Sequence, residues 1–333
     1  MVELGDLVRF LREYVSRSRP VVIAGALSNW NRAHFSTDHL LAMFGDRSVH
    51  VKLGDHGQFE GCETVDKWEQ EADGFIPPHV RTELESPDKV VVRPAHLDMT
   101  FRQFVHALDH TSGADNAPIA SVSPRLGNAS FYIEYTEVSE YFPELLSEIT
   151  QFEFARDLQV AHTNAWIGNG KTVGKLHFDP FENLLAMTVG RKNFTVFHPH
   201  ANEHLYEGHI REARLGFDPT SGVFRRQTLL DSTSMVMSPV DITAPDYERY
   251  PLFRDAEAES FECVVNEGDV LYLPAFWWHE VRSEPDAVSR SRNIAINFWF
   301  RPFFDKQFPC RTCRPRFNRH YQHLLSLFTT GDD

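Results

Sequence analysis

The stretch KTVGKLHFDPFENLLAMTVGRKNFTVFHPH, Lys171 to His200, reads as a run of apolar strands that nonetheless carries His177, Asp179, Lys192, His198 and His200. Titratable groups inside a strand are costly unless they are paired, ligated or hydrogen-bonded. The spacing narrows the choice. Side chains two apart on a strand point to the same face, so His177 and Asp179 present an imidazole and a carboxylate side by side.

Outward from this stretch the pattern stays strand-dominated from about residue 131. FYIEY, TNAWIG, TVGKLHF, NLLAMTVG, NFTVFHP, FECVV, DVLYLP, HEVRS and NIAINFWF are strand candidates, separated by the turn signals GNGK, GRKN, NEGD and SEPD. Many short strands at regular spacing predict a mainly-β fold, a double-stranded β-helix or jelly roll of the cupin type. The organisation expected is N-terminal α/β elements over 1–130, a core over 131–303 with an insertion at about 201–258, and a helical tail over 304–333. Helices are expected from Leu4 to Val15, over STDHLLAMFG with Ser36 or Thr37 as cap, and over MTFRQFVHALDH with Thr100 as cap. An apolar stripe of Tyr321, Leu324, Leu325 and Phe328 marks a terminal helix over 316–328.

The formal charge of −14 argues against a nucleic-acid-binding surface, which needs a basic face. No apolar run reaches the ~18 residues of a membrane span. The opening residues carry charges throughout and lack the apolar centre of a secretory signal. Four cysteines are too few for a disulfide scaffold, so a reducing, cytoplasmic location, with access to the nucleus, is the expectation.

His177 and Asp179 supply two thirds of a 2-His-1-carboxylate triad, the ligand set of non-haem Fe(II) oxygenases. His279, after GDVLYLPAFWW, is the candidate third ligand. A second His-x-Asp, His96-Leu97-Asp98, precedes a helical pattern, and Asp98 reads there as a cap or first-turn acid. Lys192 reads either as a solvated hairpin lysine or as the cation that a dicarboxylate co-substrate needs at the pocket end, with Arg191 as competitor. Trp277 and Trp278 read as core, one of them as a candidate wall of a substrate channel. His198, His200 and His204 read as strand-end surface residues, with a second metal as the alternative. Cys310, Cys313, His320 and His323 have the ligand types of a zinc site, against two ordinary thiols. Glu182, Glu280 and Asp246 read as solvated acids, or as an acidic patch at the mouth.

LHFDPFENLLAMTVGRKNFTVFHP and GDVLYLPAFWWHEV…NIAINFWF resemble the core motifs of the Jumonji-C (JmjC) branch of 2-oxoglutarate/Fe(II) oxygenases. RPVVIAGALSNW, FYIEY and LFRDAEAESFECVV extend the resemblance over most of the chain, towards members that hydroxylate lysine. DYERYP and INFWF are similar to an asparaginyl hydroxylase branch. The resemblance implies Fe(II) held by His177, Asp179 and His279, with 2-oxoglutarate and O₂ as co-substrates. It implies Lys192 and Tyr132 at the distal carboxylate of 2-oxoglutarate, Asn183 and Asn297 lining its pocket, and Trp299 near the iron. Several members have a threonine where this chain has Gly174, and Thr172 is the candidate substitute. The activity implied is hydroxylation of a lysine side chain in a protein, such as a GTPase of the developmentally regulated GTP-binding type, with release of succinate and CO₂. N-methyl-lysine demethylation, a metal-binding scaffold without turnover and a cupin isomerase are the alternatives. Relatives that pair through C-terminal helices imply a homodimer.

Overall fold

Every side chain from Asn293 to Phe300 is buried, which a strand achieves only where both faces of its sheet are covered. The computed structural model describes residues 7–68, 84–111, 129–288 and 291–302. The tail carrying Cys310, Cys313, His320, His323 and the 316–328 stripe lies outside the described residues, as do residues 1–6.

The N-terminal strands are β1 Val21–Ile23, β2 Ser48–Asp55, β3 Gln58–Phe59, β4 Cys62–Thr64, β5 Lys89–Arg93 and β6 Ala95–Thr100. There follow β7 Ala129–Glu137, β8 Val160–Gly168, β9 Val173–Phe178, β10 Glu182–Val189 and β11 Arg191–Phe197. The last are β12 Gly208–Asp218, β13 Val223–Met237, β14 Phe261–Val265, β15 Val270–Leu273, β16 Trp278–Glu284 and β17 Asn293–Phe300. They form an eight-stranded sheet in the order β1-β15-β10-β17-β8-β7-β2-β6 and a five-stranded sheet in the order β14-β11-β16-β9-β3. The N-terminal strands β1, β2 and β6 therefore extend the larger sheet at both ends.

Period-two alternation explains the double burial of β17. Ile294, Ile296 and Phe298 pack outward with Phe10, Trp30 and Phe152, beneath the N-terminal helices. Ala295 faces inward, in a cluster with Leu185, Met187, Phe194, Val196 and Trp277 drawn from both sheets. Asn297 and Trp299, on the same inward face, line the central cavity. The two sheets thus enclose a dry apolar end and a polar end.

The 201–258 stretch is more than loop. It holds the β12–β13 hairpin and a short helix, Phe253–Ala258. β12 runs parallel to β5, with Arg211 opposite Val90 and Arg214 opposite Arg93, so the hairpin joins a third sheet in the order β13-β12-β5-β4. This sheet brings Met235 and Arg93 to the cavity wall.

The helix ends follow the sequence signals. Ser36 Oγ accepts from His39 N–H at 3.3 Å and opens the helix Thr37–Phe44. Helix Phe101–Thr111 begins with a reciprocal cap: Thr100 Oγ1 accepts from Gln103 N–H at 3.2 Å, and Gln103 Oε1 accepts from Thr100 N–H at 2.8 Å. The expectation for Asp98 is corrected. It lies within β6 and pairs with His50 Nδ1 at 2.9 Å, because the strand runs on to Thr100 before the helix starts. Thr100→Ala should cost about 1 kcal/mol, read as a lower urea midpoint with an unchanged slope.

Candidate active site

Strands β9 and β16 are antiparallel neighbours, and their register sets His177 directly opposite His279. The two imidazole centroids are 4.4 Å apart. Asp179 sits just past the end of β9, where Phe276 N–H donates to its backbone carbonyl at 2.9 Å. Its Oδ2 lies 3.7 Å from His279 Nε2. The potential ligand atoms of His177, Asp179 and His279 all fall within 4.8 Å of one another, and among the described residues this is the one such cluster.

Both rings are pre-oriented. His177 Nδ1 donates to the Lys175 carbonyl at 2.6 Å, and His279 Nδ1 donates to the Trp277 carbonyl at 2.9 Å. A carbonyl only accepts, so each Nδ1 holds its hydrogen and leaves Nε2 as the inward ligand atom. Burial, and then the charge of His177, push His279 down to about 3, so that ring is neutral. Burial raises the pKa of Asp179 against the pull of His177. For His177 burial works against the charged ring, but Asp179 and Glu60 outweigh it and its pKa is raised. Two imidazole nitrogens and one carboxylate suit a first-row divalent metal, whereas calcium and magnesium prefer all-oxygen shells. The donor set therefore fits a catalytic metal.

From this cluster a cavity of about 270 Å³ runs between the sheets. At its inner end stands Lys192, 2% exposed. Its Nζ donates to Ser283 Oγ at 2.7 Å and to Tyr132 Oη at 3.3 Å. No carboxylate lies within ion-pair distance of it among the described residues, and burial pushes its pKa down to about 7. Arg191, the competitor, points outward to an ion pair with Glu284 and is half exposed. Strand alternation separates the two: Lys192 faces the interior and its neighbour the solvent.

The other expected residues converge on the same cavity. Thr172 Oγ1 donates to Ser283 Oγ at 3.0 Å. Asn297 Nδ2 donates to Asn183 Oδ1 at 3.1 Å, and Trp166 Nε1 donates to Asn297 Oδ1 at 2.9 Å. Trp299 stacks on Phe181 with centroids 4.8 Å apart, and its buried Nε1 has no hydrogen-bond partner. A Cβ added at Gly174 would find its nearest neighbour, His177 Cε1, 3.9 Å away, so the wall there has room.

Sequence reasoning missed Ser283, Glu134, Lys52, Glu60 and Arg93, all of which line the cavity. Glu134 was within reach of the period-two argument, since it is two residues after Tyr132 on one strand. Ser283 lies opposite Lys192 in the β11–β16 register, which no local pattern encodes. Lys52, Glu60 and Arg93 arrive from the N-terminal strands and leave no local signal.

Several expectations are corrected. Trp277 and Trp278 are both core: neither lines the cavity, and their indole N–H groups donate to Ser18 and Asn202. Glu182 and Glu280 are buried rather than solvated. Glu182 accepts from Tyr272 Oη at 2.6 Å, and Glu280 pairs with Lys175 and Arg282. Only Asp246 is a turn acid, accepting from Glu248 and Arg249 N–H. His198 is half-buried against Trp277, and burial pushes it down to about 3. With His200 and His204 it forms no ligand-like cluster.

A mainly-β double sheet with a His-Asp-His cluster at the polar end of its interior is the architecture of a metal-binding cupin. The chain belongs to the cupin-like domain family, which matches residues 8–306. It is 26% identical to JmjC domain-containing protein E of Dictyostelium discoideum, over 90% of this chain and 82% of that protein. It is 26% identical to the human bifunctional peptidase and (3S)-lysyl hydroxylase JMJD7, over 90% of this chain and 83% of that one. The lysine-specific demethylase JMJ32 of Arabidopsis thaliana is also 26% identical, over 90% of this chain and 80% of its own.

The buried Lys192 makes a prediction about stability. Between its folded pKa of about 7 and the ordinary 10.5, the unfolded chain binds a proton that the folded chain does not. The cost of burying the charge is full below the lower value and fades as pH rises to the upper one. The stability of Lys192→Met relative to wild type should therefore fall as pH rises through that window, measured by urea unfolding at a series of pH values.

Proposed function

We propose that this chain is an Fe(II)- and 2-oxoglutarate-dependent oxygenase that hydroxylates a lysine side chain of a protein substrate. The observation that carries this reading is the pairing of two features in one cavity. A three-ligand cluster with inward Nε2 atoms stands at one end and an unmatched buried ammonium at the other. His177, Asp179 and His279 would hold the metal, and three protein ligands leave positions open for co-substrates. When bound, iron supplies the activation of O₂ that couples oxidation of 2-oxoglutarate to succinate and CO₂ with substrate hydroxylation.

The protein's own share is binding, orientation and exclusion of water. Lys192, Tyr132 and Ser283 offer an ammonium and two hydroxyls to the distal carboxylate of 2-oxoglutarate, a charge-assisted site of the strong kind. Anion binding returns Lys192 towards its ordinary pKa and offsets the cost of its burial. Asn183, Asn297 and Thr172 fix the polar wall between the two ends. Leu185, Phe194 and Val281 keep that wall dry. The name of the human relative supports lysine hydroxylation. A GTPase of the developmentally regulated GTP-binding type is the partner proposed for the first trial.

Succinate formation from 2-oxoglutarate with Fe(II) tests the reading, with and without lysine peptides from such GTPases, followed by mass spectrometry of each peptide. Wild type should release succinate and add one oxygen mass to a peptide, while His177→Ala falls to background and a chelator does the same to wild type. Loss of one methylene mass from a methyl-lysine peptide would assign demethylation instead. Iron binding without succinate would overturn the oxygenase reading. Gly174→Thr should lower the KM for 2-oxoglutarate about fivefold at unchanged kcat, the value of roughly one added hydrogen bond of about 1 kcal/mol.

A further inference from the structure

The cavity does not end at the metal-ligand cluster. It continues past His177 to Lys52, Glu60 and Arg93, which also line a more open pocket of about 460 Å³. Glu134 stands where the two spaces meet. It shares a strand face with Tyr132 and its side chain is 8% exposed. Lys52 Nζ lies 3.1 Å from Glu134 Oε2, yet off the direction of a hydrogen bond, and that oxygen has no aligned donor.

The charges around it do not balance. Arg93 Nη1 donates to Glu60 Oε1 at 2.7 Å, and the same guanidinium is held by Glu212. Glu60, Glu134 and Glu212 therefore share Lys52 and Arg93, three carboxylates to two cations. Arg214 lines only the outer pocket and is exposed, where solvent screens it. His50 and His96 face the same outer pocket, and burial and the neighbouring His50 lower the pKa of His96, which keeps it neutral. By formal charge one carboxylate is in excess beside the ligand cluster; burial raises the pKa of Glu134 while the Lys52 ammonium pulls it down, and no hydrogen bond fills its Oε2. Such an oxygen stabilises an arriving cation that has hydrogens to donate.

The shape of the approach narrows the cation. Tyr135 and Trp299, with ring centroids 4.9 Å apart, line the cavity and offer an apolar wall to a methylene stem. A single open acceptor suits the compact ammonium of lysine better than the planar fork of arginine.

We propose that Glu134, backed by Glu60, receives the primary ammonium of the substrate lysine, and that Lys52 is the resident cation it displaces or joins. This rests on the lysine-hydroxylase reading above, and it assigns that reading a specificity-determining residue. The target carbon then lies on the stem between Glu134 and the ligand cluster. Neutralising the lysine by acylation removes the charge that this site reads.

The test is binding of Nα-acetyl-lysine methylamide against its norleucine analogue to the full chain, followed by ligand-observed NMR. Wild type should bind the lysine amide in preference to the norleucine amide. Glu134→Gln should weaken the lysine amide about tenfold, the value of one buried charge-assisted hydrogen bond, and leave the norleucine amide unaffected. Lys52→Met should bind the lysine amide more tightly than wild type, because it frees the carboxylate. A merely structural ion pair predicts the opposite for Lys52→Met, which would weaken binding as Glu134→Gln does, and that result overturns the proposal. Equal binding of the two amides by wild type overturns it as well. Lys52→Met carries the test by itself where Glu134→Gln does not fold. The readout needs neither iron nor turnover, so failure of the oxygenase reading shows separately, as lysine-selective binding without succinate.

Discussion

The antiparallel pairing of β9 with β16 is the constraint on which the rest of the site depends. It sets His177 against His279 across one ladder step, and the residues two before each ring supply the carbonyls that hold its Nδ1 hydrogen. A slip of one residue would turn both rings to the opposite faces of the sheet. The register is secured away from the site by Trp278, whose indole is fully buried and donates to Asn202. Core packing on one face of β16 thereby positions chemistry on the other.

The same alternation separates dry from polar space. β10 and β17 send Leu184, Ala186, Ile294 and Ile296 to the outer core, and Asn183 and Asn297 to the cavity, where the two amides bond to each other. The two amides thus match each other, and the desolvation of one is offset by the other. Lys192 differs in charge. Its partners are neutral hydroxyls, so the fold holds a cation in a place suited to an anion that is not part of the chain.

Backbone strain is placed where the cavity opens. Tyr135 has a φ of +52°, in the left-handed region, and the β7–β8 pairing shifts register between Ile133 and Thr136. A bulge re-aims side chains at a local cost, here on the order of 1–3 kcal/mol for a non-glycine residue in this conformation. It sets the Tyr135 ring against Trp299 at the cavity wall. Glu134, the residue before it, stays inside. The strand that anchors one end of the cavity through Tyr132 thereby shapes the other end too.

Much of this was legible in the sequence, because strand chemistry is local. His177-x-Asp179 on a period-two pattern, Lys192 at a hairpin, and the caps Ser36 and Thr100 all follow from neighbours in the chain. The same logic failed for Asp98, which looks like a cap or first-turn acid, and for Glu182 and Glu280, which look like solvated acids, until their partners His50, Tyr272 and Lys175 are in place. Those partners lie between 48 and 105 residues away, and sheet order alone joins them. The candidate ligand types, their shared strand face and the mainly-β class are written in local pattern. The meeting of Ser283 with Lys192, the turn of Arg191 to solvent, and the arrival of Glu60 and Arg93 from the N-terminal strands come from the assembled sheets. Period and capping act within a few residues, whereas burial and charge balance depend on strands brought together from distant parts of the chain.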